Sequence, residues 1–167
     1  FGFNISENNW LGQGKSVSFD LQLDSESLLG RLRFTDPNYN FLGNAISYSI
    51  ASESNDKPGQ GYENSIISGS IGTSFEQYRD VNLNIGLTAS HDDLRTDSSA
   101  SSALQKQSGT FSELSTKYGI SVDKRDRAFM PTEGSIINFN QEFPIYADKP
   151  FIGNTFSSSF YKPFGEN

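Results

Sequence analysis

The sequence predicts an all-β fold, an antiparallel up-and-down transmembrane β-barrel, and three observations support this prediction. Apolar and polar residues alternate along about nine segments, and the polar positions hold mainly Ser, Asn, Gly and Thr, as a water-filled lumen would require. The segments are close to the roughly 9–11 residues with which a tilted strand crosses hydrocarbon. Aromatic residues recur at strand ends, where a membrane interface would lie.

The composition is unusual for a soluble domain of this length. The chain has 167 residues with 14 Phe, 7 Tyr and 1 Trp, yet only 34% of its residues are hydrophobic, so aliphatic residues for a thick core are few. No run of about 18 apolar residues is present, which excludes a transmembrane helix. A transmembrane barrel remains allowed because its strands show lipid only at every second residue.

Charge and cysteine content exclude several classes of function. Lys and Arg total 13 against 20 Asp and Glu, and there is no basic run, so nucleic acid is not an expected partner. The chain has no cysteine, so it has neither a disulfide framework nor a thiol nucleophile or zinc-binding thiolates.

The first four predicted strands each show one apolar face. The first covers about 1–7, and the second is the most regular, with Ser16, Ser18, Asp20 and Gln22 opposite its apolar face. In the third strand, Arg31 and Arg33 need water or a counter-charge on the polar face. The apolar positions are Phe1, Phe3 and Ile5; Val17, Phe19, Leu21 and Leu23; Leu28, Gly30, Leu32 and Phe34; and Ile46, Tyr48 and Ile50.

The remaining five predicted strands follow the same alternation. The fifth runs to about 76, and the ninth covers Asn154–Lys162. The even-numbered faces at 16–22 and 82–88 are expected to line the lumen, and the opposite faces to touch lipid. The apolar faces comprise Ile67, Gly69, Ile71, Thr73 and Phe75; Val81, Leu83, Ile85, Leu87 and Ala89; Leu114, Thr116, Tyr118, Ile120 and Val122; and Ile137, Phe139 and Phe143.

The connections alternate in character along the chain. Those near 8–14, 36–43, 77–80 and 124–134 are dense with aromatics, Pro or Gly, whereas those near 24–27, 54–62, 91–109 and 146–153 are polar and vary in length. A meander places alternate connections at opposite ends, which predicts one end with defined turns and another with variable loops. In outer-membrane barrels the shorter turns are periplasmic. The defined end carries the aromatic residues Trp10, Tyr39, Phe41, Tyr78 and Phe129.

The connection from Asp126 to Ser135 has the most specific turn chemistry. Pro131 fixes φ and has no N–H for a sheet ladder, and Gly134 allows a positive φ. The chain is therefore expected to reverse here between the seventh and eighth strands.

Catalytic and metal-binding motifs are weak. His91, Asp92 and Asp93, with Asp97 nearby, form the only cluster that resembles a metal site, but it lacks a second His and falls in the predicted polar loop 91–109. No nucleophile elbow accompanies the many Ser residues. The chain is therefore predicted to have no catalytic residue, no cofactor and no metal, and not to be an enzyme.

Several smaller motifs have simple structural interpretations. Gly12-Gln13-Gly14 and Gly59-Gln60-Gly61 lack the third glycine and the helix of a phosphate-binding loop, so they are predicted turns. The sequon Asn4-Ile5-Ser6 lies within a strand. Lys124, Arg125 and Arg127 form a small basic group that suits either a partner or, more simply, a solvated turn.

Three turn motifs carry a family resemblance. They are Asn9-Trp10-Leu11-Gly12-x-Gly14, Thr35-Asp36-Pro37-x-Tyr39 and Asp126-Arg127-x-Phe129-x-Pro131-Thr132-x-Gly134-Ser135, in this order and with strand pairs between them. The chain resembles the C-terminal barrel of the BamA family, the outer-membrane protein assembly factors of Gram-negative bacteria. The third motif is shared with two-partner secretion transporters and TamA, whereas the first two favour the assembly factors.

The resemblance implies that residues 1–167 are a fragment of one outer-membrane barrel domain, roughly the second to tenth of sixteen strands. The POTRA domains and the other strands, including both strands of the family's seam, lie outside it. The chain also begins without Met and ends at Gly165-Glu166-Asn167 without an obvious terminator, which agrees with a fragment. Structural turn roles are implied for Trp10, Gly12, Gly14, Asp36, Pro37, Tyr39, Asp126, Arg127, Phe129, Pro131 and Gly134.

The same resemblance implies a function and partners. The family inserts and folds β-barrel proteins in the bacterial outer membrane. The implied partners are outer-membrane lipid, unfolded outer-membrane protein clients and, through the missing periplasmic part, lipoproteins of the assembly machinery. One alternative is a polypeptide-secretion barrel of the same superfamily. A second is a soluble extracellular β-sandwich used for adhesion, because one apolar face per strand also suits a sandwich core.

A charge placed on the predicted lipid face tests the assignment of faces. Ile85→Arg should lower the free energy of unfolding in a bilayer by about 2–4 kcal/mol, because Ile85 is expected near the membrane midplane. Equilibrium folding into lipid vesicles measures this cost, and a change close to zero would contradict the transmembrane assignment.

Overall fold

Nine antiparallel strands form one sheet in the computed structural model, which describes residues 1–163. Each strand pairs with its sequence neighbours, so the predicted up-and-down barrel topology is confirmed. The two packed sheets of a sandwich do not form in the described residues. The strands are β1 (Gly2–Trp10), β2 (Lys15–Leu23), β3 (Ser27–Asp36), β4 (Ala45–Lys57), β5 (Tyr62–Tyr78), β6 (Val81–Thr96), β7 (Gly109–Asp123), β8 (Gly134–Ala147) and β9 (Gly153–Tyr161).

The register places the predicted apolar residues on one continuous face. Phe19 pairs with Leu32, and Leu32 pairs in turn with Ile50 on β4. Ile85 pairs with Tyr118 on the next strand. Because side chains alternate along a strand, a slip of one residue would move every apolar side chain to the other face. The ladder and the alternation together define an outward, lipid-facing surface.

No other layer of residues 1–163 covers this outward surface. Ile50 is 63% exposed and Ile85 is 50% exposed, and Ala100 is the one buried hydrophobic residue among those described. Hydroxyl groups on the same face are bonded to backbone, since Thr73 Oγ1 donates to Ala45 O at 2.9 Å and Thr116 Oγ1 donates to Gly86 O at 3.0 Å. Lipid is the solvent that such a surface fits.

The inner face is polar and concave. Its middle encloses a concavity of about 480 Å³, lined mainly by Ser, Thr and Gly positions of β4, β5 and β6. Glu142 accepts a hydrogen bond from Ser115 Oγ at 3.1 Å and pairs with Lys117 at 3.3 Å. Arg31 lies directly opposite Asp20 in the register, so the second of the two predicted alternatives, a counter-charge on this face, is available to it.

The strands β4 to β7 are longer than predicted. The expected loops at 54–62 and 91–109 shrink to 58–61 and 97–108, because β4, β5, β6 and β7 all continue into these segments. The alternation fades there, but main-chain hydrogen bonds do not depend on side-chain polarity. The prediction that His91 to Asp93 lie in a loop is wrong. These three residues belong to β6, where they pair with Ile67, Ile66 and Ser65 of β5.

The outward face changes polarity along these extensions. Beyond Ile67 and Ala89, the outward positions hold polar residues such as Ser65 and Asp93, which pair across the ladder. At the same level the inner face carries Ile66, Leu94 and Phe111, so the two faces exchange polarity. We therefore expect the hydrocarbon layer to end at this height, with the strands continuing into water.

Helical structure is limited to two short segments within residues 1–163. One is the 3-10 turn Pro58–Gln60, and the other is the helix α1 (Ser102–Gln105), whose N-cap Ser101 accepts a hydrogen bond from the N–H of Leu104. None of the helices described in this part of the chain has the length and hydropathy needed to cross a membrane.

The polarity change predicts where an outward charge is tolerated. Ser65→Arg should change the free energy of folding in a bilayer by only about 0–1 kcal/mol, because Ser65 lies beyond the apolar band and faces Asp93. Equilibrium folding into vesicles measures this change for Ser65→Arg and for Ile85→Arg under the same conditions. Equal destabilisation of the two variants would show that the edge of the apolar band is misplaced.

Candidate functional site

The eleven residues for which the resemblance implies turn roles all lie at one end of the sheet, which we call the turn end. It comprises the connections at 11–14, 37–44, 79–80 and 124–133, together with the strand residues beside them. The meander gathers these connections because each joins an odd-numbered strand to the next even-numbered one.

The first connection is organised by Asn9. Asn9 O accepts from Gly12 N at 2.9 Å, and Asn9 Oδ1 accepts from Gly14 N at 2.7 Å. Trp10, which was predicted to lie in the turn, is the last residue of β1 and pairs with Lys15. The side-chain amide oxygen and the main-chain carbonyl of Asn9 therefore stabilise the chain reversal that follows Trp10.

The second connection repeats this arrangement around Asn38. Asn38 O accepts from Phe41 N at 3.3 Å, and Asn38 Oδ1 accepts from Gly43 N at 2.7 Å. Gly43 has φ +77°, close to the +68° of Gly14 in the first connection. The two turns thus share the same pair of asparagine hydrogen bonds, and each has an aromatic residue directly after the asparagine.

The turns are also joined to one another. Lys15 Nζ lies 3.5 Å from Asp36 Oδ2, which links the strands beside the first and second turns. Asp36 Oδ1 also accepts from Asn38 N at 3.1 Å, on the far side of Pro37. At the other two turns, Asp123 N donates to Asp80 O at 2.9 Å.

The fourth turn is built around Asp126. Its carboxylate accepts from Thr132 N at 3.0 Å, from Glu133 N at 3.1 Å and from Thr132 Oγ1 at 2.8 Å. Asp126 N also donates to Glu133 O at 3.0 Å. Pro131 precedes these donors in a position that requires no N–H. Four hydrogen bonds between two neighbouring stretches close the turn.

The charge on Asp126 is favoured by this arrangement. The Thr132 hydroxyl, followed by the backbone N–H of Glu133, lowers the pKa of Asp126 from 3.8 to about 2. The nearby Arg127 guanidinium contributes in the same direction, with its Nε 3.7 Å from Asp126 Oδ2.

The arginines of the basic group serve the turn itself. Arg125 donates from Nε and Nη2 to the carboxylate of Asp123, at 2.8 and 2.6 Å, and from Nη1 to Ala128 O. Arg127 Nε donates to Met130 O at 2.8 Å. These contacts support the solvated-turn interpretation of the two arginines over a partner-binding one.

Gly134 closes the fourth turn in a backbone conformation that few other residues adopt. Its φ is +100°, and a Cβ at this position would lie 2.1 Å from Lys124 O. The ladder bond from Lys124 N to Ser135 O requires this close approach. Backbone sterics alone therefore require glycine here.

The turn end exposes a row of large apolar side chains. Phe41 is 90% exposed and Phe129 is 81% exposed, and Trp10, Tyr39 and Tyr78 are also exposed. The network around Asp126 fixes the backbone that carries Phe129 and its neighbour Met130. The hydrogen-bonded turns thus fix the backbone positions of these exposed side chains, which a contact with the membrane interface or with a partner would require.

The discounted metal cluster does not assemble. Asp92 is on the opposite face of β6 from His91 and Asp93, because side chains alternate along a strand. His91 Nδ1 is within hydrogen-bond distance of Ser112 Oγ, at 2.9 Å. Within residues 1–163, no group of three or more His, Cys, Asp or Glu side chains is arranged to hold a metal ion.

Sequence reasoning missed the importance of Asn9 and Asn38. A signal was present, since Asn9-Trp10 with Gly14 and Asn38-Tyr39 with Gly43 share the pattern Asn-aromatic-x-x-x-Gly.

Comparison with known proteins agrees with this geometry. The family model described as the Omp85 superfamily domain matches residues 9–167. Among solved structures, the fold is similar to the crystal structure of BamA from Haemophilus ducreyi lacking POTRA domains 1-3, with a TM-score of 0.71 and 19% sequence identity. The match covers 93% of this chain and 33% of that one, so the chain spans about a third of the length of that structure.

A methyl group at Gly134 tests the fourth turn. Gly134→Ala should destabilise the barrel by about 2–4 kcal/mol, since backbone strain and overpacking each cost on the order of 1–3 kcal/mol. Urea unfolding of the full-length protein in vesicles measures the loss. Gly30→Ala is the control, because a Cβ there meets nothing within 4 Å, and an equal effect of both variants would contradict the argument.

Asp126 predicts a pH dependence of stability. Its pKa is lower in the folded state, so its stabilising effect is fully present above the unfolded value of 3.8 and is lost as the pH falls through about 2. Asp126→Asn should therefore destabilise the protein above pH 3.8 and much less near pH 2. Urea unfolding at both pH values measures this, and Thr132→Val should shift the window upward. A difference independent of pH would contradict the role of the charge.

Proposed function

Because the chain belongs to the Omp85 superfamily and forms part of an outer-membrane β-barrel of that superfamily, we propose that it is a section of a barrel that inserts and folds β-barrel proteins in the bacterial outer membrane. We also propose that the turn end faces the periplasm. The proposed activity belongs to the intact barrel, and requires no catalytic residue, cofactor or metal.

The two asparagine-centred turns carry the proposal. The motifs at Asn9–Gly14 and Thr35–Tyr39 favour the assembly factors over secretion transporters, and the structure builds both around one type of hydrogen-bonded asparagine. The Lys15–Asp36 pair joins the two turns. This linkage supports the view that the two motifs belong to one structural unit.

We propose that the nine described strands form a rigid wall of the intact barrel. The described residues form an unbroken ladder of nine strands, and β5 to β8 are 17, 16, 15 and 14 residues long. The moving seam of the family lies between strands outside this chain. A wall with long ladders would hold the barrel in shape while the seam admits a client strand.

The proposed partners follow from the three surfaces of the wall. The outward face suits outer-membrane lipid, and the exposed row at the turn end suits the membrane interface or the periplasmic part of the machinery with its lipoproteins. Unfolded outer-membrane proteins are the proposed clients, which would engage the seam.

A polypeptide-secretion barrel is the second candidate, and the inner face favours it. The inner wall is lined by Ser, Thr and Asn, with Arg33 and Lys117 at the sides of its concavity. A hydrated wall of small polar residues suits the passage of an extended polypeptide.

Reconstitution of the full-length protein in vesicles separates the two candidates. An unfolded eight-stranded barrel is added as the client, and its folding is followed by the heat-modifiable mobility of the folded form. Faster folding than in protein-free vesicles supports insertion. Unchanged client folding, together with release of a passenger polypeptide enclosed in the vesicles, would overturn it in favour of secretion.

A further inference from the structure

The outward face changes from apolar to polar in regular steps along β5 and β6. Gly69 pairs with Ala89 at the edge of the apolar band. Beyond this pair, each step of two residues gives the next outward position, because side chains alternate between the two faces. The outward pairs that follow are Ile67 with His91, Ser65 with Asp93, and Glu63 with Arg95. On β4 the same steps hold Ser52, Ser54 and Asp56.

This polar part of the outward face is deeper than a phospholipid headgroup layer. From Ile67 to Glu63, β5 extends by roughly 14 Å at about 3.4 Å per residue. For a strand tilted by about 40°, this is about 10 Å along the membrane normal. The headgroup layers of an ordinary bilayer are only about 5–8 Å thick on each side. A lipid that follows this face as far as Glu63 therefore needs a headgroup larger than a phosphate ester.

Two concavities follow one another on this part of the face. The lower one has a volume of about 350 Å³ and begins at Ile67. The upper one has a volume of about 250 Å³ and reaches the connection 58–61. Both are lined by Glu63 and Arg95, so together they form one groove that leads away from the apolar band. We call it the outward groove. Its lower part is also lined by Ser65, His91 and Asp93, and its upper part by Asp56 and Asp97.

The outward groove presents both donors and acceptors of hydrogen bonds. Arg95 Nη2 donates to Asp93 Oδ2 at 2.7 Å, which orients the guanidinium, while 71% of the arginine side chain stays exposed. Glu63 lies opposite Arg95 in the register, but the guanidinium pairs with Asp93, so the Glu63 carboxylate can accept from a ligand. Such a mixture suits a ligand with many hydroxyl groups, because each hydroxyl both donates and accepts.

We propose that the outward groove binds the saccharide headgroup of an outer-leaflet glycolipid. Its acyl chains lie against the apolar band, and its sugar hydroxyls reach Glu63 and Arg95. A lipid is favoured over a soluble saccharide because the groove opens onto the lipid-facing surface at Ile67, which is 57% exposed. The depth of the groove favours a saccharide over a phosphate headgroup. The proposal rests on the proposed orientation of the barrel, in which this end of the sheet lies outside the cell.

Native mass spectrometry of the full-length protein in detergent micelles tests the proposal. The probe is a lipopolysaccharide with a short sugar chain, and the fraction of protein that carries one copy gives an apparent Kd. Phosphatidylglycerol and the deacylated sugar of the same lipopolysaccharide are titrated in the same way. The glycolipid should bind at least about tenfold more tightly than either, since a tenfold change is close to the effect of one hydrogen bond to a charged group.

A double variant locates the binding site. Glu63→Gln with Arg95→Gln should weaken glycolipid binding about tenfold, because hydrogen bonds lose strength when neither group is charged. Asp24→Asn with Lys106→Gln is the matched control. It also removes one acidic and one basic side chain at this end of the sheet, but outside the groove, and should leave the affinity unchanged.

Three outcomes would overturn the proposal. Equal affinity for phosphatidylglycerol would mean that the saccharide is not recognised, and equal affinity for the deacylated sugar would mean that the ligand is not a lipid. Wild-type affinity in the Glu63 and Arg95 variant would place the binding elsewhere. The comparison of the three ligands on the wild type decides the question even if the variant fails to fold. None of these measurements depends on client folding, so they are independent of the proposed insertion function.

Discussion

The unbroken main-chain ladder is the constraint on which the rest of the structure depends. Lipid offers no hydrogen-bond partner, so each strand of a spanning sheet must find its donors and acceptors in its neighbours. The described strands do so in one order, β1 to β9. Once the ladder fixes the register, the outward positions fall in one surface, and lipid takes the place that a hydrophobic core holds in a soluble domain.

Sequence periodicity predicted this surface well because alternation is strong wherever a strand meets lipid. Ile46 to Ile50 and Val81 to Ala89 were assigned to the correct faces, and all nine strands were found. The strand extensions were missed because side chains such as Asp92 and Asp93 stop alternating in polarity once both faces meet water or loops. The sheet continues there through main-chain hydrogen bonds, which every residue type except Pro can form and which the sequence therefore does not reveal.

The turn end was recognisable for a different reason. Positions such as Gly134 and Pro131 are restricted by backbone sterics, and such restrictions are visible as residue types. Asn9 and Asp126 also belong to the quoted motifs, but the role of Asn9, Asn38 and Asp126 as hydrogen-bond acceptors was not visible, because residues of these types occur in any polar turn. Only their hydrogen bonds to N–H groups five to seven residues later distinguish them. Such hydrogen bonds form only when the turn has brought the side chain and the later N–H groups together, so they are not visible in the sequence.

The two ends of the sheet therefore differ in how their conformation is fixed. At the turn end, local hydrogen bonds specify each reversal, and neighbouring turns are joined by Lys15–Asp36 and by Asp123–Asp80. At the other end, hydrogen bonds between different hairpins contribute to the conformation of the loops. Asp97 N donates to Gly61 O, and Ser112 N donates to the carboxylate of Asp148. Contacts between hairpins allow neighbouring strands to end at different heights. The offset between the end of β8 at Ala147 and the start of β9 at Gly153, which pairs with Glu142, is an example of that freedom.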